Sequence, residues 1–239
     1  MKAILLAAGK GTRISRMIEP VPKCTLPIEG IPLIRYTVEM LERYEIPAVV
    51  CVGYQKQCIY EALDGLNVKY YNNPFYDVTN SIASLWIARE TLDDDMIIMN
   101  ADVYLSAEIL EMILNDPHDN VMAMDTTRIA MGDYFFKTMD SGCIKKYGKD
   151  LPLQERSGEY VGIAKITKSF LPEFREKMNQ LIEQLRHNGW WENVMYDFAE
   201  NDEHPIFTLD VNGHFWSEID YFDDYERILN YIATESSEK

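Results

Sequence analysis

Long apolar runs are missing from this 239-residue chain. The N-terminal "MKAILLAAGKGTR" has a short one that stops at its glycines. It is too short to cross a bilayer and lacks the layout of a secretion signal. A cytoplasmic protein with no membrane partner is expected. Positive charge is scarce: 23 Lys and Arg face 39 Asp and Glu, for a net charge of −16. A surface that binds nucleic acid needs a basic face, so no nucleic-acid partner is expected. A small anion is still a possible ligand, because local cations outweigh the global field at short range. Cysteines are few. Cys24, Cys51, Cys58 and Cys143 are scattered and form no CxxC pair, which argues against a zinc site or a disulfide framework and for reduced, mostly buried thiols. There is no internal repeat and no long linker, and oligomeric state is left open.

What is present is enough apolar sequence, 47% of residues, for one sizeable core. Apolar runs at 2–7, 48–54 and 96–102 and the short "VKYYN" read as strands. Between them, 31–44, 55–63 and 80–91 carry helical spacing, and Ser106 is placed to cap a helix bearing Ile109, Leu110 and Ile113. This βαβα alternation predicts a doubly wound, mostly parallel mixed α/β sheet. Its ligand crevice should lie beyond the carboxyl ends of the strands. After about residue 119 shorter strands follow, with a hairpin at "MDSGC", then two helices, two short strands and a C-terminal helix. We read one domain over 1–239, in two halves at about 1–118 and about 119–239.

The run "LLAAGKGTR" delivers a strand into glycines and a cation, and "PVPKC" places Lys23 in a proline-rich loop. Gly9 and Gly11 lack Cβ atoms and so let phosphate oxygens approach backbone N–H groups. Arg13 adds a planar donor fork. The spacing GxGxR is neither the dinucleotide fingerprint nor the P-loop.

With "NAD" near residue 100, "GEYVGIAKI" at 158–166 and "SEID" at 217–220, the chain resembles the nucleotidyltransferases that activate sugar phosphates and related small phosphates. It resembles most the small cytidylyltransferases that act on phosphocholine and 2-aminoethylphosphonate. The resemblance implies a Rossmann-like nucleotidyltransferase fold of GT-A-like type. It implies attack by an acceptor oxygen on the α-phosphorus of CTP with loss of pyrophosphate. Arg13 would hold the β- and γ-phosphates, and Lys23 would meet the α-phosphate. Asp102 and Asp220 would bind Mg²⁺, although either Asp could simply cap a helix. Leu6, Ala8, Gly9, Gly11, Asn80, Ser84 and Ala101 would contact the nucleotide, with Asn80 equally suited to capping. Lys149, or Lys137, and Glu159 would serve the acceptor.

Trp190 and Glu192 suggest a cationic acceptor, since aromatic faces and a carboxylate hold ammonium groups. Tyr134 or Trp216 could join them. Trp191 shares the apolar stripe of Val194 and Phe198 and reads as core. Phosphocholine is expected first, with 2-aminoethylphosphonate close behind. The alternatives are a hexose-1-phosphate nucleotidylyltransferase using UTP, GTP or dTTP, and a catalytically silent nucleotide-binding regulatory subunit.

Overall fold

Three of the apolar runs lie side by side. In this computed structural model, which describes residues 1–11, 21–200 and 204–237, β1 (Lys2–Ala7) pairs in parallel with both of the others. The first half continues with a small hairpin, β2 (Pro27–Ile28) and β3 (Ile31–Pro32), then α1 (Leu33–Arg43), β4 (Ala48–Val52), α2 (Lys56–Ala62) and β5 (Val68–Asn72). It ends with α3 (Ser81–Ile87), β6 (Met96–Asn100), β7 (Val103–Leu105) and α4 (Ala107–Asn115). The second half holds β8 (Asn120–Asp125), β9 (Phe135–Thr138), β10 (Ile144–Gly148), β11 (Gly158–Ile166), α5 (Leu171–Glu183) and α6 (Asn193–Glu200). Then come β12 (Phe207–Asp210), β13 (Trp216–Glu218) and α7 (Phe222–Ser237).

The main sheet runs β10-β9-β11-β6-β1-β4-β5, with β8 on β11 and β12 on β8. Strands β6, β1, β4 and β5 are parallel, and β11 joins them antiparallel through β6. β1, β4 and β6 read as unbroken apolar runs because both faces of the sheet are covered. Leu5, Val50 and Ile97 face Val38, Leu41 and Ile109 on one side. Ile4, Val49 and Ile98 face Leu85, Phe174 and Val194 on the other. The chain builds β4 and β5 on one side of β1 and then crosses to place β6 on the other. That reversal opens a crevice at the carboxyl ends of β1 and β6.

The structure differs from expectation in detail. The helix over 80–91 stops at Ile87 and tightens into a 3-10 turn at Arg89–Thr91. Ser106 precedes α4 but makes no capping bond, and its Oγ is buried with no partner among the described residues. The hairpin at "MDSGC" is present, with Gly142 at φ +83° and Met139 N–H donating to Cys143 O at 2.8 Å. All four cysteines are free, and only Cys58 is not fully buried. No helix among the described residues is long and apolar enough to cross a membrane.

Candidate active site

A cleft of about 380 Å³ opens at this crevice. Leu6, Ala8, Gly9 and Gly11 bring the first strand and its loop into the wall. Gly9 has nothing within 4 Å of where a Cβ would be, so the backbone there borders open space. Gly11 differs: it has φ +58°, and a Cβ there would stand 2.6 Å from Lys23 Cγ. Its missing side chain makes room for the Lys23 stem. Pro22, with φ −58°, leads into the 3-10 turn Lys23–Thr25, which sets the direction of that stem.

Lys23 Nζ lies 2.5 Å from Asp220 Oδ1 and 3.5 Å from Asp102 Oδ2. The β7–β13 ladder brings the two acids together. Glu218 pairs with Val103, and Ile219 N–H donates to Asp102 O at 3.0 Å. Asp102 just precedes β7 and Asp220 just follows β13, so the two acids meet at one point of the cleft. Burial opposes the Lys23 charge, but Asp102 and Asp220 outweigh it and hold its pKa above the usual lysine value. Burial pushes the Asp102 carboxyl up, with Lys23 pulling against it. Glu218, which sequence reasoning did not single out, also lines the cleft. Burial and then the charges of Asp102 and Asp220 push its carboxyl up.

Three acids around one ammonium leave surplus negative charge, which fits a divalent cation bound by Asp102 and Asp220. Mg²⁺ is commonly held by one or two carboxylates and several waters, so a complete protein cage is not needed. Among the described residues no group of three His, Cys, Asp or Glu forms such a cage. Arg13 lies outside the described residues.

Asn80 and Ser84 line the same cleft. Asn80 Oδ1 accepts from Ser81 N at 2.8 Å, so it does cap α3. Ser84 Oγ accepts from Asn73 Nδ2 at 3.0 Å. Asn73, missed by the sequence reading, also donates to Thr79 Oγ1 and accepts from Phe75 N. It ties the 73–80 loop to α3. Ala101 is buried behind the wall, its N–H donating to Leu6 O at 3.2 Å, and does not line the cleft.

One wall is aromatic. Tyr134, Trp190 and Tyr196 line it, with Tyr134 at 5.7 Å from Trp190 and 5.5 Å from Tyr196 between ring centroids. Trp191 is fully buried, as its stripe predicted, while Trp190 is 41% exposed. Trp191 Nε1 donates to Asn100 Oδ1 at 3.2 Å, and Asn100 Nδ2 donates to Glu192 Oε1 at 3.3 Å. The indole thereby fixes the orientation of the amide, which aims its N–H at the carboxylate. Burial pushes the Glu192 carboxyl up to about 7. A bound cation would favour its ionised form. Lys149 is in this wall but pairs with Asp133 at 2.8 Å and lies over Trp190, 5.6 Å from the ring centre. Lys137 instead pairs with Glu155 at 3.9 Å.

Glu159 is not in the cleft. It faces a smaller neighbouring cavity, where Arg128 Nε donates to it at 2.6 Å and Asp133 N at 3.1 Å. It holds the 128–133 loop, whose Asp133 does line the cleft. Trp216 is buried, with Nε1 donating to Asp125 Oδ2 at 2.8 Å. A Cβ on Gly132 would stand 2.4 Å from the Glu159 carboxylate carbon. Gly132→Ala is expected to cost about 1–3 kcal/mol, the range for forcing a group into filled space. Urea unfolding checks this, and an unchanged midpoint would show that the loop simply yields.

A glycine loop after the first strand, a buried lysine and two strand-end aspartates therefore meet at the crevice of an open α/β sheet. Residues 3–195 match the MobA-like NTP transferase domain. The chain is 25% identical over 232 residues to a CMP-5'-(3-aminopropyl)phosphonate synthase of Streptomyces rubellomurinus, covering 92% of this chain but only 37% of that protein's length. It is 27% identical to the choline-phosphate cytidylyltransferase of Streptococcus pneumoniae, over 99% of this chain and 100% of that one. The solved structure of a CTP:phosphocholine cytidylyltransferase from Streptococcus pneumoniae shares the fold, with a TM-score of 0.81 at 23% identity over 97% of this chain and 98% of that one. The chain belongs to the MobA-like NTP transferase family and is cytidylyltransferase-like.

Proposed function

We propose that this protein transfers the cytidylyl group of CTP to a small phosphate or phosphonate that carries an amine or quaternary ammonium. An oxygen of the acceptor attacks the α-phosphorus of CTP. The bond from that phosphorus to the bridging oxygen of the β-phosphate breaks, and pyrophosphate leaves with the electron pair. Catalysis then rests on positioning and on charge stabilisation. Lys23 sits where negative charge builds at the α-phosphate, and Arg13 holds the β- and γ-phosphates. Asp102 and Asp220 hold Mg²⁺, which supplies additional positive charge to the triphosphate.

The observation that carries the acceptor class is the aromatic wall, in which Tyr134, Trp190 and Tyr196 line the same cleft as buried Glu192. Aromatic faces with a carboxylate suit a cation. The end-to-end likeness to a choline-phosphate cytidylyltransferase supports both CTP and this acceptor class. The convergence of Lys23, Asp102 and Asp220 argues against a silent subunit.

The test is a matrix of CTP, UTP, GTP and dTTP against phosphocholine, phosphoethanolamine, 2-aminoethylphosphonate and glucose 1-phosphate, followed by pyrophosphate release. Turnover is expected with CTP and the cationic acceptors. A preference for glucose 1-phosphate would overturn the acceptor class, and a preference for another triphosphate would overturn CTP.

A further inference from the structure

Asn100 is the last residue of β6 and lines the cleft two positions before Asp102. Its amide stands between two neighbours from one distant segment. Trp191 Nε1 is 3.2 Å from Asn100 Oδ1, and Glu192 Oε1 is 3.3 Å from Asn100 Nδ2. An indole N–H can only donate, so the amide oxygen must face it and the amide nitrogen must face the carboxylate. The indole is itself fixed. Trp191 is fully buried in one cluster with Leu85, Ile98 and Val194, and its backbone N–H donates to Ser81 Oγ at 2.9 Å. On another side the backbone of β11 passes close, since a Cβ on Gly162 would stand 3.6 Å from Asn100 Nδ2. Glu192 is 6% exposed and lines the cleft. A carboxylate this deeply buried needs donors to keep its charge, and the amide is one.

We propose that Asn100 is a positioning residue for the acceptor: locked by the Trp191 indole, its amide holds Glu192 Oε1 and so turns Oε2 to meet the cationic head of the acceptor. Asn100 need not touch the acceptor to do this. It fixes one carboxylate oxygen, and the rings of Tyr134, Trp190 and Tyr196 line the cleft around the other. Without the amide, the carboxylate is free to turn from the cleft or to take up a proton, and either change removes its attraction for a cation. The inference rests on the cationic-acceptor reading above.

The test compares each cationic acceptor with an uncharged isostere. Phosphocholine is paired with neohexyl phosphate, in which carbon replaces the quaternary nitrogen, and phosphoethanolamine with propyl phosphate. The ratio of kcat/KM within a pair isolates the charge of the head. Both rates come from the same variant, so any loss of folded protein cancels. The wild-type protein is expected to favour the charged member. Asn100→Ala should lower that ratio by about tenfold, the change that one hydrogen bond to a charged group supports. The loss should appear in the KM for the acceptor, with kcat and the KM for CTP little changed. Trp191→Phe keeps a ring in the core and removes the indole N–H, so it should lower the ratio in the same direction. Glu192→Gln should lower it too, and adding Asn100→Ala to Glu192→Gln should lower it little further, because the two act as one unit. A ratio that Asn100→Ala leaves unchanged overturns the inference, as does a full second loss in the double variant. Equal loss for both members of a pair also overturns it, since that marks a merely structural role. A wild-type ratio near one, or turnover of glucose 1-phosphate alone, overturns the cationic-acceptor reading and the inference with it.

Discussion

Lys23→Ala is expected to lower kcat for pyrophosphate release by about 10²–10³-fold, the scale for one preorganised electrostatic donor. The Lys23 side chain is 10% exposed, and its ammonium stands between Asp220 and Asp102, which keep it charged. Removing it takes away the positive charge next to the α-phosphate. It also leaves Asp102, Asp220 and Glu218 facing a triphosphate with no lysine among them. Lys23→Arg should not restore the rate, because the stem runs against Gly11 and the planar guanidinium needs a different space from a point charge. Steady-state kinetics check this. If only KM rises and kcat holds, Lys23 binds substrate and transition state equally, and its proposed role fails.

The second large effect is expected at the carboxylates. Asp102→Ala and Asp220→Ala should each bring turnover below detection while the far-ultraviolet circular dichroism stays that of the folded protein. Asp220 also hydrogen-bonds Lys23, so the alanine variant alone confounds metal binding with lysine placement. Asp220→Asn separates the two. It keeps an oxygen for Lys23 and removes the negative charge that a hard cation prefers. Turnover should remain lost in the asparagine variant, and excess chelator should silence the wild-type protein until Mg²⁺ is restored. Activity that survives chelation would remove the metal from the mechanism.

Particular residues show how far the sequence could be read. Trp190 and Trp191 are adjacent, yet helical spacing alone assigned Trp191 to the core and left Trp190 for the cleft, where it is found. Periodicity works there because it reports which face of a local element is apolar. Glu159 went the other way. Its position at the start of β11 suggested the acceptor, but Arg128, 31 residues earlier, takes its carboxylate. Nothing local distinguishes an acid that points into a cleft from one clasped by a distant guanidinium. Asn100 was missed for the same reason: it is held by an indole 91 residues away.

The sequence by itself determined the alternation of strands and helices and the sites where strands end in glycine or aspartate. These follow from the spacing of apolar residues and from backbone conformations that few residues allow. Only the tertiary structure decided which strand ends meet. Lys23 and Asp220 are 197 positions apart, and they touch because β13 pairs antiparallel with β7 and α7 packs Ile228 against Leu26, Leu33 and Ile219. That meeting is set by long-range burial and ladder register, which act between segments and leave no mark on the local pattern of either one.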